Sequence, residues 1–297
     1  METNKIYHGN NIEVMQGFPD KSVDCIITDP PYGINGAGFV WKEKSYKRID
    51  AKWDKQEPDY IWIDECIRLI KDGGAIYITG TQHNIFNVKN YLDSRGMNFN
   101  NFIVWHKPNG MPIKYAKQLG IFAFSCEYIL YYSKGKPLNF QYNSLKAQNN
   151  GKQQRDFIIL NTCEDLKSGH PSQKPLKLMR KFIIASSKEG DIILDPFAGS
   201  GTTCVACKQL NRKYIGIEKE EEYIIMAERR LKQSILSNMF TAEPKFIYDE
   251  KIQEEWEDKN HICEWEFPEA GKGGWKLEGH NCPTELKGQL KILGDFS

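Results

Sequence analysis

No apolar run in the 297 residues approaches the length of a membrane span, and Met1 to Asn11 is polar, without a signal-peptide pattern. Membrane insertion and secretion are therefore not expected, and a cytoplasmic protein is. The eight cysteines are scattered, and Cys25, Cys66 and Cys126 sit inside apolar runs, which speaks against a disulfide framework and for a reduced compartment. No internal repeat is visible, so solenoids and propellers are set aside. No Gly-Lys-Ser/Thr follows the one glycine loop at Gly199 and Gly201, which argues against an ATP or GTP phosphate loop. A third glycine of the dinucleotide fingerprint is missing as well. Two His/Cys pairs, His261/Cys263 and His280/Cys282, have one intervening residue each. Zinc pairs are usually separated by roughly two to four, so no metal is expected.

Hydrophobic content of 40% and charged content of 27% fit a soluble chain with one sizeable core and a smaller appendage. The net charge of +1 conceals an asymmetry. From Asn101 to Lys188 there are 14 Lys/Arg against 4 Asp/Glu, interleaved with Trp105, Tyr115, Phe122, Phe140 and Tyr142. That mixture favours nucleic acid over a merely solvated surface. From Thr241 to Ser297 there are 7 against 13, so the tail should avoid phosphates.

Strands and helices alternate along most of the chain. Val23 to Thr28, Ala75 to Thr79, Phe102 to Trp105, Tyr128 to Tyr132, Ile192 to Leu194 and Tyr214 to Ile217 read as strands. Ile61 to Ile70, His83 to Ser94, Leu176 to Ser187, Thr202 to Gln209 and Glu221 to Ser234 read as helices, the first ended by Asp72-Gly73-Gly74. The expected fold is α/β, a Rossmann-like, doubly wound and mostly parallel sheet. Gly33 to Asp59 has little periodicity and is expected to be a functional loop. Leu138 to Lys167 is polar, breaks the rhythm and reads as an insertion. Residues 1–237 would form the main domain and 238–297 an acidic extension or small module. Cys204 and Cys207 share a helix and read as packing residues.

Two segments carry the chemistry. Asp195-Pro196-Phe197-Ala198-Gly199-Ser200-Gly201-Thr202-Thr203 follows one apolar run and opens a helix, the form of a cofactor-binding turn. Glu218 ends the next strand, 23 residues on, where a carboxylate accepts hydrogen bonds from ribose hydroxyls. Asp29-Pro30-Pro31-Tyr32 follows another apolar run. Two prolines stiffen the backbone and leave its carbonyls as acceptors. A carboxylate and such a carbonyl can take both hydrogens of an exocyclic amine, while Tyr32 stacks on the ring that bears it. Asp29 then localises the nitrogen lone pair and is no strong base before attack.

These motifs, with Ser168-Gly169-His170-Pro171-Ser172-Gln173-Lys174-Pro175, Phe102 to Lys107 and Glu127-Tyr128-Ile129-Leu130, resemble the S-adenosylmethionine-dependent DNA amino-methyltransferases. The catalytic loop precedes the cofactor loop, as in their permuted beta group, and the likeness covers most of residues 5 to 235. It implies a class I methyltransferase fold and S-adenosylmethionine as cofactor. The target would be an amine of DNA, flipped out or single-stranded, as in restriction-modification. By resemblance Asp29, Pro30, Pro31 and Tyr32 are catalytic. Phe197, Ala198, Gly199, Ser200, Gly201 and Thr202 shape the cofactor loop, with Asp195 and the stretch from His170 to Pro175, Lys174 included, at the methionine end and Glu218 on the ribose. Asn10 stands where relatives often have Asp beside the cofactor adenine. Asp rather than Ser in the first catalytic position points to adenine N6. Cytosine N4, RNA and a catalytically silent nucleic-acid-binding subunit are the alternatives. The segment 138–167 would read the sequence, and a homodimer is left open.

Overall fold

The computed structural model describes residues 1–33, 39–42, 45–48, 54, 57–110, 120–162 and 172–240; for 39–42, 45–48 and 234–240 it describes backbone alone. All fall in the first of two compact units, Met1–Tyr248 and Asp249–Ser297. The tail with its His/Cys pairs, His170, Tyr115 and the stretch 163–171 lie outside the described residues.

The described strands, in chain order, are β1 (Lys5–His8), β2 (Val23–Thr28), β3 (Phe39–Lys42), β4 (Ser45–Arg48), β5 (Ile70–Gly80), β6 (Asn98–His106), β7 (Cys126–Ser133), β8 (Phe157–Ile159), β9 (Ile192–Asp195) and β10 (Lys213–Glu218). Eight of them form one sheet in the order β1-β10-β9-β2-β5-β7-β6-β8. Its neighbours pair in parallel except β7, which runs against both β5 and β6. The remaining two, β3 and β4, make a separate antiparallel hairpin. Part of the loop expected over Gly33 to Asp59 is thus hydrogen-bonded ribbon.

The central strands read as continuous apolar runs because both sheet faces are covered. Ile26, Ile76 and Ile78 point into one core with residues of α1 (Asn11–Gln16), α2 (Ile61–Leu69) and α3 (Ile85–Ser94). Cys25, Ile27, Ala75 and Tyr77 alternate onto the other face. There they meet α5 (Leu176–Ser186), α6 (Thr202–Gln209) and α7 (Glu221–Phe240). Cys204 and Cys207 are fully buried in this second core, and burial raises both thiols far above their ordinary range, as befits packing residues.

Two boundaries differ from the expectation. The glycines Gly73 and Gly74 do not follow the helix as a turn but lie within β5, where the pairing with β2 shifts from Val23↔Ile70 to Cys25↔Ala75. Gly73 takes φ +75°, which lets the chain bulge there and return to register. The segment 138–167 is not wholly an insertion. Its α4 (Tyr142–Gln148) packs on α5, and β8 adds an edge strand to the main sheet beside β6. Three residues with one buried side chain, Ile158, give too short an alternation to reveal a strand beforehand.

After β2 the chain builds one half of the sheet through β5, β6 and β7, then returns to β9 on the other side of β2. The strand order reverses between β2 and β9, and ligands of open α/β sheets bind in the crevice outside that point. Ile26 stands opposite Leu194, so Asp29 and Asp195 both leave the carboxyl edge of neighbouring strands, Asp29 two residues further out.

Candidate active site

Asp29 leaves the end of β2 half-buried and is held by three donors. Its Oδ1 accepts hydrogen bonds from the hydroxyls of Tyr32 and Thr79, and its Oδ2 accepts one from Lys174 Nζ at 2.6 Å. Burial, then the charges of Asp29 and Glu127, push the Tyr32 phenol far above its ordinary range, so it stays a donor. The two prolines carry the chain around to Tyr32, whose N–H and that of Gly33 donate to Asp54 Oδ1 at 2.7 and 3.0 Å. Asp54 is itself buried. No described residue donates to the Pro30 carbonyl, which remains an acceptor.

The glycine loop follows β9. Phe197 N–H donates to Asp195 Oδ1 at 3.1 Å, and Ala198 N–H to the Ile217 carbonyl at 2.9 Å, which seats the loop over β10. Gly201, at φ +75° and ψ +25°, caps α6 in the left-handed region. A Cβ there would lie 2.7 Å from Ala227 Cβ, so α7 passes too close for any other residue. Arg230 of α7 donates to the Ser200 carbonyl at 2.7 Å and to Thr202 Oγ1 at 2.9 Å, fastening the loop from behind. The Phe197 ring meets Trp62 edge-on at 5.1 Å.

Glu218 ends β10 and accepts from the N–H groups of Gly199 at 2.8 Å and of Lys219 and Glu220 at 2.9 Å. Burial raises its carboxyl above the usual range despite these amides. Asp195 is more deeply buried, and desolvation pushes it up to about 7, with the Thr203 hydroxyl and Phe197 N–H opposing the rise. Asn10 is the N-cap of α1, its Oδ1 accepting from Ile12 N–H at 2.9 Å.

One cavity of about 490 Å³ collects most of these residues. Asn10, Asp29, Pro31, Lys174, Asp195, Phe197, Ala198, Gly199, Ser200, Thr202 and Glu218 lie on its wall. Pro30, Tyr32 and Gly201 do not: Gly201 faces α7, and the Tyr32 hydroxyl faces Asp29, Thr79 and Glu127. Lys174, expected at the methionine end, reaches the wall but puts its ammonium on Asp29. Glu57, Pro58 and Asp59 also line the cavity and were not singled out by the sequence, where they sit in an aperiodic charged run. Thr79 and Glu127 were not assigned roles either; their only signal is position at a strand end.

The donor set suits S-adenosylmethionine. Asp195 and Glu218 offer carboxylates to a cation and to ribose hydroxyls, and the cavity volume is that of a small-molecule site. Arg230 is directed at Ser200 and Thr202 and Lys174 at Asp29, rather than at a ligand phosphate.

The basic stretch is only partly surface. Trp105 is buried and donates to the Leu160 carbonyl at 2.7 Å, Lys107 pairs with Glu127 at 2.9 Å, and Lys134 bonds the Ile67 carbonyl at 2.8 Å. Phe122, in contrast, is 95% exposed, and Phe140 and Tyr142 are exposed as well.

A doubly wound sheet with one reversed strand, a glycine loop over a carboxylate and an acid-proline-proline-aromatic loop beside it define a class I methyltransferase. The chain belongs to the DNA methylase family, whose model matches residues 23–229. It is an enzyme of the S-adenosylmethionine-dependent kind. The type II methyltransferase M2.MboI of Moraxella bovis is 38% identical to it over 250 residues, 79% of this chain and 90% of that protein. M2.DpnII of Streptococcus pneumoniae is 34% identical, covering 76% of this chain and 88% of its own. The crystal structure of an M1.HpyAVI-SAM complex is 32% identical with a TM-score of 0.58, covering 76% of this chain and 98% of that one. The cytosine-N4-specific PvuII DNA methyltransferase shares the fold at a TM-score of 0.62 and 18% identity, over 86% of this chain and 91% of its own. No helix among the described residues is long and apolar enough to cross a membrane.

Proposed function

We propose that this enzyme methylates the N6 amine of adenine in DNA. The observation that carries the reading is the meeting of Asp29 with Asp195 and the glycine loop on one cavity wall at the switch point of the sheet. S-adenosylmethionine, when bound, supplies a methyl group activated by a sulfonium. Asp195 would hold its ammonium, Glu218 its ribose and Asn10 its adenine, with Phe197 to Thr202 along the wall. A target base inside a duplex cannot reach this crevice, so it arrives flipped out or single-stranded. Asp29 Oδ2, on the cavity wall, would accept one amine hydrogen and the Pro30 carbonyl, which lies behind that wall and takes no described donor, the other, turning the nitrogen lone pair toward the methyl. Tyr32 keeps Asp29 in place through its hydroxyl. Lys174 Nζ lies 5.3 Å from the Tyr32 ring centre, beside the hydroxyl that holds Asp29. The described part of 138–167, with exposed Phe157 and Ile159 on β8, belongs to the DNA-reading side.

Asp in the first catalytic position supports adenine over cytosine. Incubation with labelled S-adenosylmethionine and DNA of mixed sequence, then digestion to nucleosides, tests this. Label on N6-methyl-2′-deoxyadenosine is expected; label on N4-methyl-2′-deoxycytidine alone, or on none, refutes it.

A further inference from the structure

Asp29 does not stand alone. Lys174 Nζ lies 2.6 Å from its Oδ2 and 3.4 Å from Glu127 Oε2, and the other oxygen of Glu127 accepts from Lys107 Nζ at 2.9 Å. The side chains of this chain of four charges are between 8% and 24% exposed, so water screens them little. Burial works against the charge on Glu127, yet Lys174 and Lys107 outweigh it and hold the carboxyl below its ordinary value. Two carboxylates and two ammoniums balance. A carboxylate offers about four acceptor positions. Tyr32, Thr79 and Lys174 use three on Asp29, which leaves one on Oδ2 for the substrate amine.

The amine therefore docks beside a lysine, and that lysine would repel it during reaction. The nitrogen lone pair forms the N–C bond while the S–C pair stays on sulfur, so a unit positive charge moves from sulfur to nitrogen. One N–H proton then leaves for Asp29 Oδ2 and passes to water. Unbalanced Lys174 and Lys107 would oppose this arrival of charge in a poorly screened site.

We propose that Glu127 is a positioning residue for methyl transfer: it draws Lys174 between two carboxylates and keeps the cluster around the last open acceptor of Asp29 neutral. The inference rests on the function proposed above. Wild-type activity on DNA tests that function, and ratios of variant to wild type test this role, so the two can fail separately.

The experiment measures single-turnover methylation, KM for DNA and Kd for S-adenosylmethionine, with thermal melting as a folding check. Its variants are Glu127→Gln, Glu127→Asp and the double variant Glu127→Gln/Lys107→Gln. Glu127→Gln leaves an excess cation and should slow methyl transfer on the order of 10- to 100-fold with KM and Kd nearly unchanged. The double variant and Glu127→Asp restore neutrality and should each recover about fivefold or more of the loss. A wild-type rate in Glu127→Gln, or equal losses in all three, overturns the proposal. Should Glu127→Gln fail to fold, the two neutral variants decide. Rates within about 20-fold of wild type in both support it, and a larger fall in either, with Kd intact, overturns it.

Discussion

Gly201→Ala tests the geometry of the cofactor loop most sharply. The residue sits at φ +75°, a conformation that costs an L side chain about 1–2 kcal/mol. The new methyl would also fall 2.7 Å from Ala227 Cβ and 3.2 Å from Ala227 Cα, and neither atom can swing aside as a flexible side chain would. Overpacking of this kind costs about 1–3 kcal/mol more, so the total is about 2–5 kcal/mol. For a unit of this size each kcal/mol lowers Tm by roughly 2–4 °C, giving a drop of roughly 4–20 °C in a calorimetric melt. Gly190→Ala is the control. It has φ +84° with nothing within 4 Å, so it carries the backbone penalty alone. S-adenosylmethionine affinity should fall in Gly201→Ala and hold in Gly190→Ala. Equal Tm shifts in the two variants would refute the close approach of loop and α7.

Asp29→Ala removes the acceptor of the amine and should lower methyl transfer by on the order of 10²–10³-fold or more, with Kd for S-adenosylmethionine little changed, as titration calorimetry would show. Asp195 binds its proton more tightly folded than unfolded, so it contributes stability at low pH that is lost as pH rises toward about 7. A cationic ligand favours the ionised form, so affinity for S-adenosylmethionine should rise roughly tenfold from pH 6 to pH 8, and Asp195→Asn should flatten that slope. Arg230→Met removes the bonds to Ser200 and Thr202 and should weaken cofactor binding while the far half of the sheet stays protected in hydrogen exchange.

The sheet and both motif loops could be read from the chain because each depends on local pattern. Asp29 and Asp195 each close an apolar run, and glycine and proline mark the turns that follow. Partnership across the sequence could not be read. Lys174 lies 145 positions from Asp29, and only the folded sheet brings β2, β5, β7 and the entry to α5 to one edge. Glu127, quoted only as the first residue of the run Glu127-Tyr128-Ile129-Leu130, received no role for the same reason. Trp105 and several lysines of the basic stretch read as surface because composition does not reveal which side of a strand is covered. β8 escaped notice because an edge strand with one buried residue has almost no periodicity to detect.

The most direct measurement is a crystal structure with sinefungin, an S-adenosylmethionine analogue that carries an amine in place of the sulfonium methyl. With its ribose on Glu218, that amine should point at Asp29 Oδ2 from about 6 Å or less, leaving room for one nitrogen between them. An analogue bound with its amine turned away from Asp29, or held clear of the glycine loop, would contradict the shared crevice on which the chemistry depends.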